Sequence, residues 1–220
     1  MIDRTNTIKS KLDWIESLDS DLTTHRNNII QFNQEVKQLI ELGDKVVEPL
    51  IEKLFKSSNR YMLWAAAWIL REIGDNRSLD AFWYALNEFK ADIGLQHEFL
   101  LGISMLKDKK ISDYLIEILT IRNSSLVSTA IRGLGILQDT GAVTLLVDLF
   151  MNGTQEEYSI IIPGKSRLPG IHVKSSIIET LGSIQTEESI IELNKILYLD
   201  PAKFSTCAVR FIFTSLARYM

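Results

Sequence analysis

Gly164-Lys165-Ser166 ends as a phosphate-binding loop ends, with an ammonium for the phosphates and a hydroxyl for their magnesium. That loop also needs a glycine five residues before Gly164, where this chain has Ser159, and it must join a strand to a helix. Nucleotide binding is therefore not expected. His97-Glu98 places an imidazole beside a carboxylate, a combination that divalent metals take. A metal centre needs several such ligands, however, and the chain has only His25, His97 and His172. Cys207 is the lone cysteine, which excludes an internal disulfide, and in an apolar run it reads as a small buried hydrophobe. No spacing of Ser, Cys, His and Asp builds a nucleophile with its base. The expectation is a chain with no catalytic residue, no metal ligand set and no cofactor.

The bulk properties point the same way. Of 220 residues, 46% are hydrophobic and 24% charged, ample for a continuous core. Four Pro and eleven Gly are too few for an all-β chain that turns every ten residues or so. The net charge of −4 lacks the basic footprint that phosphate backbones attract, so nucleic acid is not an expected partner. No run approaches the roughly 18 apolar residues of a membrane span. Met1-Ile2-Asp3-Arg4-Thr5 lacks the apolar core of a secretion signal, so a soluble cytoplasmic protein is expected.

What must position any functional residue is a repeat. Four segments close alike, at Leu42-Gly43-Asp44, Ile73-Gly74-Asp75, Leu106-Lys107-Asp108 and Leu137-Gln138-Asp139, and a fifth, Ile184-Gln185-Thr186, replaces Asp by Thr. The acidic residues lie 31, 33 and 31 residues apart, and the last step of 47 equals 31 plus an insertion of 16. An apolar residue ends one helix, a left-handed residue stops it, and Asp or Thr caps the next. Each mark is thus a corner between two helices. Seven residues beyond the corners lie Ile51, Phe82, Leu115, Leu146 and Leu193. Ten beyond lie Leu54, Ala85, Ile118, Leu149 and Ile196; eleven beyond lie Phe55, Leu86, Leu119, Phe150 and Leu197. These share one face of the first helix of each pair. Read backwards from the corners, Leu70, Ile103, Leu134 and Leu181 lead a second column, with Ala67, Leu100, Ile131 and Ile178 one turn earlier. One pair cannot cover its apolar face alone, so the pairs must stack.

Leu63-Trp64-Ala65-Ala66-Ala67-Trp68-Ile69-Leu70-Arg71-Glu72-Ile73-Gly74-Asp75 resembles the second helix of HEAT repeats, in the subgroup named after phycobilisome lyases. Val47-Glu48-Pro49-Leu50-Ile51 resembles their first helix, proline included. The resemblance covers roughly residues 28–200. It implies an all-α, armadillo-like chain: an α-solenoid, a right-handed superhelix of about six antiparallel helix pairs. The expected domain is single, 1–220, with a capping pair at 1–43, repeats over 44–200 and a terminal helix at 201–220. Ile8, Leu12 and Ile15, then Phe32, Val36 and Leu39, carry the capping helices, and Asp19-Ser20-Asp21 with Asn27-Asn28 marks the turn between them. A di-iron enzyme of the HEAT class draws on several His-Glu pairs, and the HEAT-like DNA glycosylases on a basic groove; this chain matches neither.

The resemblance also implies that second helices line a concave groove. Its candidate binding residues are Tyr61, Trp64, Trp68, Arg71, His97, Leu101, Arg132 and Glu179. Trp64 and Trp68 share a helix face, and with Tyr61 and Arg71 they have the composition of an interface hot spot. Tryptophan filling space under the capping pair is the competing reading. The function expected is a non-catalytic scaffold or adaptor that binds another protein. The alternatives are a bilin lyase or chaperone acting on phycobiliproteins, as some members of that subgroup are, or a regulatory subunit of an enzyme. Two further segments stand apart. The insertion at 153–170 carries Lys165 and Arg167 between two Pro-Gly steps, as a functional flap or as tolerated extra chain. In the terminal helix, Val209 and Phe213 form a second apolar stripe, either covered internally or available for self-association into a homo-oligomer.

Overall fold

The structure, a computed structural model, describes residues 4–18, 26–121, 126–152 and 173–199. The insertion with Lys165 and Arg167, and the terminal segment with Cys207, Val209 and Phe213, lie outside the described residues. So does the turn at Asp19-Ser20-Asp21. Within them are eleven α-helices and no strand. These are α1 (Arg4–Glu16), α2 (Arg26–Glu41), α3 (Val47–Lys56), α4 (Arg60–Ile73), α5 (Leu79–Glu88) and α6 (Ile93–Met105). They continue with α7 (Ser112–Ile121), α8 (Val127–Leu137), α9 (Val143–Asn152), α10 (Val173–Ile184) and α11 (Glu187–Leu199). None of the described helices is long and apolar enough to cross a membrane. Asn27 and Asn28, expected from sequence in the turn, belong instead to the first turn of α2.

The corners fall where the repeat places them. Gly43 (φ +61°), Gly74 (φ +71°), Lys107 (φ +61°), Gln138 (φ +54°) and Gln185 (φ +56°) are all left-handed, each one residue before Asp44, Asp75, Asp108, Asp139 or Thr186. Glycine adopts this conformation without a Cβ clash. Asp75, Asp108 and Asp139 then accept hydrogen bonds from the backbone N–H two residues on, at 2.9, 3.1 and 2.9 Å. The caps hold a single turn of 3-10 helix rather than the α-helix directly, and that turn feeds α5, α7 and α9. At the fifth corner Thr186 and Ser189 cap reciprocally: Thr186 Oγ1 accepts from the Ser189 N–H (3.2 Å), and Ser189 Oγ accepts from the Thr186 N–H (2.9 Å). Asp44 makes no such cap.

Second helices have their own start signals. Asn59 accepts from the N–H groups of Tyr61 and Met62 at 2.9 and 3.0 Å, and Asp92 accepts from Leu95 at 3.1 Å. Arg60 forks onto Asp92, tying the start of α4 to the start of α6. Burial pushes the Asp92 carboxyl up, but Arg60 and the Leu95 N–H together hold it below its ordinary value.

The helices cluster into two compact units, divided between Leu106 and Lys107. In the unit of α1–α6, α3 pairs with α4 and α5 with α6; first helix α3 also packs on α5, and second helix α4 on both α2 and α6. In the unit of α7–α11, α7 pairs with α8, α10 packs on α8, α9 and α11, and α9 on α11. Both second-helix columns are buried throughout. Where their side chains are described, the first-helix columns are buried except at α3, where Ile51 is half-buried and Phe55 is 44% exposed. Phe55 instead lies against exposed Tyr84 of α5, ring centroids 4.9 Å apart.

Helices α5 and α6 approach closely at Gly102. A Cβ built on Gly102 would sit 2.5 Å from the Phe82 ring. Gly102→Ala is therefore expected to destabilise the chain by about 1–3 kcal/mol, the usual range for overpacking. Urea unfolding monitored by circular dichroism measures it, and Gly102→Ala with Phe82→Leu should recover most of the loss.

Candidate functional site

Helix α4 is apolar on nearly every side, from Tyr61 to Leu70. Its aromatic residues divide by depth. Trp64 is 2% exposed and stacks on Phe32 of α2, centroids 5.3 Å apart and planes 23° from parallel. Trp68, one turn on, meets Trp64 at a tilt with centroids 5.1 Å apart, but is only half-buried. The Trp64 indole N–H is buried without a hydrogen-bond partner, an arrangement that costs about 1–3 kcal/mol.

Arg71, one turn beyond Trp68, is the charged counterpart. Its Nη1 donates to Glu98 Oε2 of α6 at 2.6 Å, and its Nη2 to Glu72 Oε1 at 2.9 Å. The Glu98 side chain is only 4% exposed and that of Arg71 13%. A buried carboxylate needs such a partner, and the guanidinium supplies two donors in a fixed fork. Both terminal nitrogens are engaged, while Nε is buried without a hydrogen-bond partner, so the cluster is a braced cation beside a half-buried tryptophan. Among the described residues no three His, Cys, Asp or Glu side chains converge as a metal site would require.

The expected groove residues therefore separate. Trp68 and Arg71 are half-buried, and Arg132 on α8 and Glu179 on α10 are exposed. Tyr61, Trp64, His97 and Leu101 are buried, contrary to the accessible positions that the repeat predicts for them. Trp64 fills space against α2. His97 and Leu101 lie in α6, which is buried from Gly94 through Ser104 and has no solvent face along that stretch. Arg132 and Glu179 belong to the α7–α11 unit and Trp68 and Arg71 to the other.

Two features lie beyond what the sequence pattern conveys. Glu98 reads there only as half of a His-Glu pair, although a carboxylate inside an apolar helix signals a buried partner. The other is an open groove of about 570 Å³ between α1 and α3, floored by Ile8, Leu12 and Pro49 and edged by lysines including Lys9 and Lys45. Its shape depends on the spacing of two helices, which periodicity does not report.

Compared with known proteins, the sequence matches no protein-family model and no curated protein.

The Arg71–Glu98 pair makes a definite prediction. Arg71→Ala takes the guanidinium away from a buried carboxylate and should cost about 3–5 kcal/mol, whereas Arg71→Met with Glu98→Leu, which removes both charges, should cost far less or nothing. Chemical denaturation of the single and double variants decides it.

Proposed function

We propose that this chain is a HEAT-type α-solenoid acting as a non-catalytic scaffold that binds another protein through its second helices. Chief support comes from Trp68 and Arg71. They sit three residues apart on α4, partly open to solvent, with Arg71 braced by Glu98 and Glu72. Trp and Arg dominate interface hot spots. A side chain already held in one geometry loses little freedom when a partner docks, so more of its contact energy appears as affinity. Met105 supports the same face: it lies two turns beyond Glu98 on α6 and is 43% exposed, and methionine adapts to irregular surfaces.

In the second unit, Arg132 and Glu179 are the exposed residues at the corresponding place in their repeats, five before each corner. They offer charges of opposite sign on α8 and α10. Regulation of an enzyme would use the same surfaces, with the enzyme as the partner. Nothing among the described residues favours a bilin carrier, and two residues that such a carrier would call on, Trp64 and His97, are buried.

Trp68 makes the test, because it is open enough to truncate without emptying the core. Trp68→Ala should weaken partner binding by about 2 kcal/mol or more, roughly thirtyfold, while the melting transition moves little. Quantitative pull-down from native lysate, wild type against Trp68→Ala and Arg132→Glu, reads the effect. Equal retention by all three proteins, or no protein held above a control resin, contradicts the proposal.

A further inference from the structure

The groove between α1 and α3 is lined from Ile8, Lys9 and Lys45 to Lys53 and Lys56. Glu16, the last residue of α1, clamps the end of α3: its Oε2 accepts from Lys53 Nζ at 2.8 Å and its Oε1 from Ser57 Oγ at 2.5 Å. Asn59 Nδ2 donates to the carbonyls of Glu16 (2.9 Å) and Leu18 (2.7 Å), drawing the same end tighter. On its other flank α1 is held to α2, where Lys11 donates to Glu35 and Gln38. Ile8 borders the same space as Lys45 and Pro49, and Glu16 meets Lys53 and Ser57, so the two helices run parallel. Beside these contacts a volume of about 570 Å³ is left between α1 and α3.

Chemistry divides along the groove. Ile8, Leu12 and Pro49 give an apolar floor. Lys53 is committed to Glu16 and Lys56 to Glu52. Lys9 and Lys45 pair with no carboxylate among the described residues, and Asp13, one turn nearer the clamp, is the unpaired acid on the rim. A chain of net charge −4 thus keeps an excess of cations around its apolar slot. The volume falls within the roughly 300–1,000 Å³ of small-molecule sites, which are mainly apolar with a few charged groups to orient the ligand. A partner helix would need apolar anchors over two or more turns, and three floor residues are too few.

We propose that this groove binds a single-chain anionic amphiphile, a hydrocarbon chain ending in a carboxylate. The chain lies on Ile8, Leu12 and Pro49, and the carboxylate sits between Lys9 and Lys45. The site is separate from the Trp68–Arg71 face and does not depend on that proposal.

Isothermal titration of the full chain with monomeric decanoate tests it, against decyltrimethylammonium, decanol and butyrate. Decanoate should saturate at one per chain. The cationic and neutral chains should bind at least about tenfold more weakly, and butyrate not measurably. Lys9→Gln and Lys45→Gln, both at exposed positions, should each weaken decanoate about three- to fivefold with unchanged circular dichroism, and added salt should weaken the wild type likewise. Decyltrimethylammonium binding as well as decanoate, or the double lysine variant keeping wild-type affinity, overturns the proposal. So does a wild-type protein that takes up no decanoate and instead dimerises through these lysines in light scattering.

Discussion

Five residues in the left-handed conformation set the register on which every buried face relies. A non-glycine residue there costs on the order of 1–2 kcal/mol, yet Lys107, Gln138 and Gln185 all adopt it. The hydrogen bonds that close the turn offset the strain. At the fourth corner the Gln138 N–H donates to Gly135 O at 3.2 Å and the Asp139 N–H to Leu134 O at 3.0 Å, satisfying carbonyls that the helix end leaves open. Asp139 then caps the next turn. Shifting any corner by one residue would rotate the following helix by about 100° and turn its apolar column away from its neighbour. Helices of ten to sixteen residues are marginal on their own, so the columns hold only because they face one another.

Inside that frame the polar groups mark where the first unit departs from plain apolar packing. Glu98 enters α6 among apolar neighbours and is tolerated because Arg71 reaches it from α4. The bond fixes Arg71 next to Trp68 and so gives a packing helix a stiff, partly open face. The same logic operates at the N-terminal end with the opposite outcome. Glu16 ties the end of α1 to α3, and a groove with an apolar floor lies between the two helices. In each case a single carboxylate decides what its neighbours are free to do.

How much a sequence conveys depends on the range of each interaction. Corners are local: the left-handed residue, its capping Asp and the apolar column behind it all lie within a dozen residues, and so Asp75, Asp108 and Asp139 are legible as caps. Burial depth is not local. Trp64 and Trp68 share a face and look alike in sequence, but Phe32, thirty-two residues before Trp64, covers one and leaves the other partly open. The repeat positions of His97 and Leu101 predict groove residues, yet α6 is covered on that side too. Phe55 departs in the other direction, since the column rule buries it and the structure exposes it beside Tyr84. The groove at Ile8 and Pro49 leaves no periodic trace, because it comes from two helices being held apart.

Backbone chemical shifts and three-bond HN–Hα couplings at Gly43, Gly74, Lys107, Gln138 and Gln185 test the register most directly. One isolated left-handed residue is expected at each of these positions, preceded by helical shifts and, at Asp75, Asp108 and Asp139, followed by a single extended residue before helical shifts resume. Right-handed helical values running unbroken through Lys107 and Gln138, or breaks displaced by two or more residues, would contradict it.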